Sequence, residues 1–555
     1  MMQKDILRRS LDLITKRQTN ILSAAFVIMA TVIFSQILGL VRNRLLVAIF
    51  GPSNILGIYF YASQLPDTLF QLTIAAAISS AFIPVFSDYL NRGKEKEAHA
   101  MASTLLFIGL IIFAVLSLIL VIFAQFFLQI FNLGSNFSLH DMSLMVNMMR
   151  VIILGEFLFM VGTFFTALLQ SYNHFFIPGI AAALYNLGII IGILLFAPKF
   201  GIYAAPFGVI LGSFIFVVLQ IPLARKVGFS FHPSLKLVYT DGVKKVASLM
   251  WPRTISIIIF QLGTLAIASF ISFLPDPGRM NVIFDFAKTL AFAPVALFGQ
   301  TIAQAALPIL SRTKDKPEEF RSTFITSFNQ MLYLVLPISV LILVLRIPLV
   351  RLVFGANKFD WAATVLTGRT LAYFSISIFA QALIALILRG FYALHDTKVP
   401  LIISGITTLI MIILAYIFLV PEQMGVVSLA LAYSIASIIQ LVFLFVLLER
   451  KIGGFAKRSL IVPWTKIFSA SFFTAFALYI PIKLLDQLVF DTTRTVNLLM
   501  LTGISSGAGL LLYLLLTWLF NVHEAKTYLL VFKKVGNWRD ILGKSDEVIE
   551  GNPRI

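Results

Sequence analysis

The stretch ILSAAFVIMATVIFSQILGLVRNRLLVAIFG, residues 21–51, is apolar throughout except for Gln36 and the cluster Arg42-Asn43-Arg44 near its end. An α-helix rises about 1.5 Å per residue, so residues 21–41 already match a hydrocarbon core roughly 30 Å thick. The apolar run nevertheless continues to Phe50, which holds both arginines at or just inside a membrane boundary. A charge there costs on the order of 3 kcal/mol on insertion scales, so it faces a partner or a watery cavity, or snorkels to the headgroups. For Arg44 these readings balance. For Arg42 a cavity is the better expectation, on grounds that emerge further along the chain.

The rest of the composition agrees with a chain built of such runs. Of 555 residues 59% are hydrophobic and 12% charged, and the mean hydropathy is +0.95. A charged fraction near half the globular norm of about 25% describes a polytopic membrane protein, not a soluble enzyme with an anchor. The net charge of +18 would suggest nucleic acid in a soluble chain. Here the basic residues lie between apolar runs, where they set topology and meet anionic lipid headgroups, so no nucleic-acid partner is expected. There is no cysteine, which excludes disulfides, thiol catalysis and Cys-ligated metals. The first apolar run is too long for a secretory signal and lacks a small-residue cleavage site.

Residues 1–20 carry Lys4, Arg8, Arg9, Lys16 and Arg17 and read as a basic cytoplasmic lead-in. The next run, 55–87, is interrupted by QLPD at 64–67, which predicts a bend at Pro66. Further apolar runs give about fourteen spans of the ~20 residues a bilayer requires. Alternate loops are rich in Lys and Arg: Arg92, Lys94 and Lys96; Arg225, Lys226, Lys244 and Lys245; Arg312, Lys314 and Lys316; Arg450, Lys451, Lys457 and Arg458. The loops between them hold scattered cations such as Lys199, Arg279 and Lys358. This bias predicts both termini in the cytoplasm, which requires an even number of spans.

The chain also repeats itself. AFIPVFS (81–87) and ALPILS (306–311) place Pro84 and Pro308 224 residues apart; LQIFNLG and VRLVFGA place Phe131 and Phe354 223 apart; Pro178 and Pro400 differ by 222. Three anchors at nearly one offset mark two copies of a six-span unit. Six is even, so both copies share one orientation, the parallel-repeat plan of alternating-access transporters with a cavity between the halves. The expected organisation is a basic segment 1–20, a first lobe 21–224, a linker 225–246, a second lobe 247–448, a loop 449–464, two additional spans within 465–520, and a cytoplasmic tail 521–555.

Several of these segments resemble one family. FSQILGLVRNRLLVAIFG (34–51), SSAFIPVFSDY (79–89), LQSYNHFFIPGIAAALYNLG (169–188), TLAFAPVALFGQTIAQAALPILS (289–311) and above all LRGFYALHDTKVP (388–400) are similar to the MurJ (MviN) lipid II flippases of the multidrug/oligosaccharidyl-lipid/polysaccharide exporter superfamily. The likeness covers residues 20–520, and the two extra C-terminal spans fit it. It implies transport of an undecaprenyl-pyrophosphate-linked peptidoglycan precursor across the bacterial inner membrane for cell-wall synthesis, with no cofactor. Implied partners are the lipid-linked pyrophosphate glycan, membrane lipids, and cell-wall synthesis or division proteins. A diphosphate crossing hydrocarbon needs positive charge and hydrogen-bond donors in a protein-lined cavity, because its desolvation otherwise costs far too much. In the family, cavity arginines stand on spans 1, 2 and 8. Arg42 keeps one of these; Gln36 occupies an earlier span-1 position and Asn43 replaces an acidic residue. The span-2 arginine aligns with Phe70, beside Gln71, and the span-8 arginine with Thr289, beside Lys288. An acidic-glycine pair has become Ala75-Ala76.

The resulting candidate substrate-binding residues are Arg42, Lys288, Arg253, Asn43, Gln36, Gln71 and Thr289, with no catalytic or metal site. Lys288 and Asp285 share a face of span 8, either as a self-neutralised pair or with Lys288 free to meet phosphate. Arg253 guards an inner mouth or snorkels. Glu156, deep in span 4, must be protonated, in water, or paired with a residue such as Arg150. Asp67 is read as a cap after Pro66, and His174 and His395 as solvated loop residues. Spans 7, 11 and 12 contain no Asp or Glu, which argues against a carboxylate sodium site there. A flippase for another polyprenyl-linked glycan is the second transport reading, favoured by the lost arginines. A membrane scaffold without transport is another. An integral-membrane enzyme would need a converging acid/base or metal cluster, and the sequence offers none.

Overall fold

The computed structural model describes residues 21–75, 81–234, 240–355, 358–420, 424–488 and 495–525. The basic N-terminal segment and nearly all of the C-terminal tail lie outside them. Every regular element among the described residues is a helix. In hydrocarbon each backbone N–H and C=O must be paired within its own segment, and a continuous helix does this for an apolar run.

The first helix, α1, is Ile21–Phe50. Next comes α2, Asn54–Phe70, capped by the Ser53 side chain and running straight through Pro66. The helix is unbroken at Pro66, where a bend is expected, and a π-helical turn follows over Gln71–Ala75. Proline removes a hydrogen bond to the carbonyl four residues back, and here the widened turn that follows takes up the irregularity. Asp67 therefore sits inside α2 and caps nothing, which corrects the sequence reading. The chain continues through α3 (Ile83–Asn91), α4 (Glu95–Ile122), a short α5 (Ala124–Ile130), α6 (Leu139–Ser171), α7 (Phe176–Phe200) and α8 (Ala204–Val218).

The second set follows the same order. Its members are α9 (Asp241–Ser272), α10 (Pro277–Pro294) with a π-helical turn at Val295–Gln300, α11 (Thr301–Arg312), α12 (Pro317–Val344), a short α13 (Arg346–Phe354), α14 (Trp361–Ser375), α15 (Ile378–Ala393), α16 (Lys398–Leu419) and α17 (Val426–Lys451). The repeat is visible at the level of single residues. Helix starts at Glu95 and Pro317, Leu139 and Trp361, and Phe176 and Lys398 are all 222 apart, and the two π-helical turns begin at Gln71 and Val295. Even the caps correspond: Ser138 caps α6 and Asp360 caps α14 with their side chains. The additional helices α18 (Lys457–Leu488) and α19 (Thr495–Leu519) pack against the second set through α12, where the Tyr513 hydroxyl donates to the Tyr333 carbonyl at 2.8 Å.

By length and hydropathy alone, eleven helices among the described residues can cross a membrane, or twelve when the bent pair α14–α15 counts as one span. That is fewer than the fourteen expected, for two identifiable reasons. The 51-residue run Phe176–Lys226 is counted once although it turns back at Gly201, whose φ of +56° suits glycine. Gly188 faces Gly212 and Gly192 faces Gly208 so closely that a Cβ would collide, an antiparallel hairpin held by small residues. The second span is divided between the 17-residue α2 and α3, with residues 76–80 between them outside the described set, so it is not counted as one helix.

Candidate functional site

The two sets of helices meet tightly at the end away from the Lys- and Arg-rich loops. A Cβ on Gly57 of α2 would lie 2.1 Å from Gly278 Cα of α10. The Gly278 N–H donates to Asn54 Oδ1 at 3.1 Å, and the Tyr61 hydroxyl donates to the Ala268 carbonyl at 3.1 Å. Arg44 donates to the Leu352 and Gly355 carbonyls, the unsatisfied end of α13, where a cation also meets the negative end of the helix dipole. Neither lipid headgroup nor cavity explains Arg44; it ties one lobe to the other.

Behind this seal lies a cavity of about 450 Å³ lined by both lobes. From the first set come Arg42, Gln64, Asp67, Gln71 and Glu156; from the second come Gln261, Asp285 and Lys288. Arg42 is held by neutral amides: its Nη1 donates to Asn186 Oδ1 at 3.0 Å, and its Nε and Nη2 donate to Asn43 Oδ1 at 3.2 Å. Asn186 in turn donates to the carbonyl and hydroxyl of Ser35. This relay fixes the guanidinium without neutralising it. Asp285, Lys288 and Arg42 face one cavity, and none of the ion pairs among the described residues joins Asp285 to either cation.

The seven candidate residues separate on inspection. Arg42, Gln71 and Lys288 line the common cavity. Asn43 is 6% exposed and acts behind Arg42 as its acceptor. Gln36 is exposed, about 120° around the helix from Arg42, and is not a lining residue. Thr289 is half-buried beside Lys288 but turned off the cavity wall. Arg253 belongs to α9, and its side chain lies outside the described residues.

Sequence reasoning did not assign the acidic side of the cavity. Asp67 and Glu156 both line it. Arg150, the expected partner of Glu156, instead contacts Asn147 Oδ1 and the Val121 carbonyl. The available signal was the rarity of ionisable residues within a span, which marks each as a site hypothesis. His174, expected in solvent, is buried, whereas His395 meets Lys314 at 3.2 Å. Among the described residues no group of three or more His, Cys, Asp or Glu could hold a metal ion.

A second cavity of about 250 Å³ runs into the second set of helices, with Gln64, Asp285 and Lys288 shared at the junction. A two-lobed helical bundle, built from a same-direction repeat and enclosing a charged cavity at the lobe interface, is the architecture of a polytopic membrane carrier. The comparisons specify which. The profile of the family described as "Lipid II flippase MurJ" matches residues 46–533, and the chain belongs to that family. The lipid II flippase MurJ of Burkholderia cenocepacia is 25% identical over 460 residues, covering 81% of this chain and 87% of the relative. A probable lipid II flippase MurJ of Buchnera aphidicola subsp. Baizongia pistaciae is 25% identical over 92% of this chain and 99% of its own. Among solved structures, a lipid II flippase MurJ in an inward closed conformation aligns with TM-score 0.71 at 23% identity over 89% of this chain and 98% of that one. An inward-facing multidrug resistance transporter of the MATE family aligns with TM-score 0.64 at 13% identity over 77% and 98%.

Proposed function

We propose that this multi-pass membrane protein moves lipid II, the undecaprenyl-pyrophosphate-linked peptidoglycan precursor, from the inner to the outer leaflet of the bacterial inner membrane. The division into lobes 21–224 and 247–448 serves alternating access: the lobes part at one end while closing at the other. Both termini face the cytoplasm on this reading, so the seal around Gly57 and Gly278 is extracytoplasmic. Family membership supports the substrate, and one observation carries the mechanism: Arg42 and Lys288 face a single cavity from opposite lobes. Two cations from bodies that move relative to each other can hold a diphosphate by charge-assisted hydrogen bonds in one state and weaken their joint grip in the next. Asn43 and Asn186 orient the Arg42 fork, and Gln71 adds a neutral donor.

The test is replacement of the essential flippase of a bacterial host by this chain. Growth with normal cell shape supports lipid II transport. Failure despite membrane insertion, combined with transport of a different polyprenyl-linked glycan in proteoliposomes, would favour the second reading. That alternative has a specific observation behind it, since three carboxyl side chains share the cavity with the two cations. The family is one of transporters, and the chemistry expected of the cavity is binding and release without bond making.

A further inference from the structure

The two connected cavities differ in chemistry. The one between the lobes holds Arg42, Asp67 and Glu156 in addition to the shared Asp285 and Lys288. In the one within the second lobe, no charged side chain among the described residues other than that shared pair contributes to the lining. Its polar groups are amides and hydroxyls with defined orientations. Gln381 Nε2 donates to Ser437 Oγ at 2.6 Å, and that hydroxyl donates to the Tyr433 carbonyl at 2.7 Å. Gln440 Nε2 donates to Ser404 Oγ at 3.2 Å. Each glutamine is thus steered by one of its donors, and its amide group lines the cavity. Asn281 also lines this wall; it is 3% exposed, and its Nδ2 has no hydrogen-bond partner. A buried amide without a partner costs on the order of 1–3 kcal/mol, a cost that a ligand carrying acceptors would relieve. Beside these groups stand the rings of Phe374 and Tyr433, with centroids 5.7 Å apart.

We infer that this second-lobe cavity is a subsite for an uncharged, hydroxyl-bearing sugar ring of the substrate, with Asn281, Gln381 and Gln440 as its hydrogen-bonding groups. The inference rests on the lipid-diphosphate reading above and assigns the orientation of that substrate. A second phosphate does not suit this wall, because among the described residues its only cation is the shared Lys288 at the junction. An alkyl chain does not suit it either, since it would leave the amides without partners. A pyranose satisfies both demands: its hydroxyls exchange hydrogen bonds with the amides, and its C–H face lies against aromatic rings. The diphosphate then sits at the junction, near Lys288 and Arg42, with the sugar directed into the second lobe.

The experiment titrates purified full-length protein in detergent with two probes, a bare polyprenyl diphosphate and the same lipid carrying an N-acetylated amino sugar, with affinity read by thermophoresis. Wild-type protein is expected to bind the glycosylated probe about tenfold more tightly, the scale of one or two satisfied hydrogen bonds. Gln440→Leu should abolish that preference while leaving bare-lipid affinity within about twofold, and Ser404→Ala, a milder change, should reduce it roughly threefold. Lys288→Ala should weaken both probes together. Thermal unfolding establishes that each variant is folded, and Ser404→Ala carries the test if Gln440→Leu is not. Equal wild-type affinity for the two probes overturns the sugar subsite and leaves the lipid-diphosphate reading standing. Equal weakening of both probes by Gln440→Leu or Ser404→Ala also overturns the subsite. Failure of wild-type protein to bind either probe overturns the reading beneath it, and the subsite with it.

Discussion

Replacing Gly57 by alanine should force the lobes apart at the sealed end. The added methyl carbon would lie 2.1 Å from Gly278 Cα, 2.2 Å from its oxygen and 2.3 Å from its carbonyl carbon. Non-bonded carbons rest about 3.5–4.0 Å apart, so α2 and α10 must separate by roughly 1.5 Å. No rotamer can relieve the clash, because every one of these atoms is backbone. Overpacking of this kind costs about 1–3 kcal/mol, and the protein can avoid the cost by opening this end. A loss of about 2 kcal/mol from the closed state lowers the closed-to-open ratio roughly 30-fold. The chain has no cysteine, so spin labels on cysteines placed at the exposed positions Ile55 and Phe273 report the separation directly. The wild-type distance distribution should be dominated by a short component, and Gly57→Ala should move most of the population to a longer one. Arg44→Gln, which removes a contact to the end of α13, should produce a smaller shift in the same direction. A Gly57→Ala protein that folds and keeps the wild-type distribution would falsify the assignment of this contact as the seal.

Arg42→Ala or Lys288→Ala should reduce lipid transport in proteoliposomes at least tenfold with thermal stability nearly unchanged, and Arg42→Lys should keep part of the activity because lysine lacks the planar fork. Asp67→Asn should tighten binding of a bare polyprenyl diphosphate several-fold, since it removes an acidic group from the cavity lined by Arg42 and Lys288; unchanged or weaker binding would count against a repulsive role. Burial alone would raise the Asp360 carboxyl, but the Ala363 N–H and Arg279 together hold it below the usual carboxylate range. Its contribution is therefore present above the ordinary value near 4 and lost as pH falls through the lower folded value, and Asp360→Asn should flatten the acid limb of a melting-temperature profile while costing at most about 1 kcal/mol at neutral pH. With cytoplasmic termini, an impermeant thiol reagent applied to intact cells should label a cysteine at residue 136 and spare one at residue 94; the reverse pattern would invert the topology.

The repeat was legible in the sequence because prolines and aromatic residues at span ends recur at nearly constant separation, and a helix in lipid has few alternatives once its length is set. The span count was harder to recover from the helices. A hairpin closed by facing glycines merges two crossings, and another crossing runs through residues 76–80, outside the described set. Arg42 and Lys288 could be placed on one cavity because charges within spans 1 and 8 have few other destinations, and those spans flank the cleft in the family the sequence resembles. The cavity neighbour of Glu156 could not be placed that way. Asp67 is 89 positions away in sequence, and juxtaposition across helices depends on rotations about the helix axes that periodicity in an almost wholly apolar chain leaves undetermined. Gln36 was misdirected for the same reason, since its position along α1 was clear but its azimuth was not. Arg44 shows the limit from the other side: its partners are backbone carbonyls, which carry no residue-type signature.

The charge balance of the cavity bears on what must accompany the substrate. Two cations, Arg42 and Lys288, face three carboxyl groups, Asp67, Glu156 and Asp285. Any of these carboxyls that is ionised competes with a phosphate for the two cations. A diphosphate entering this space adds negative charge where desolvation has already made it expensive. Neutralising those carboxylates, by protons or by a cation, would leave the arginine and lysine available to the phosphates. Binding of diphosphate and binding of that cation are therefore linked, and by linkage each strengthens the other by the same factor. In a cavity reached from alternate sides of a membrane, such linkage lets a gradient of the smaller ion bias the direction in which the larger anion moves.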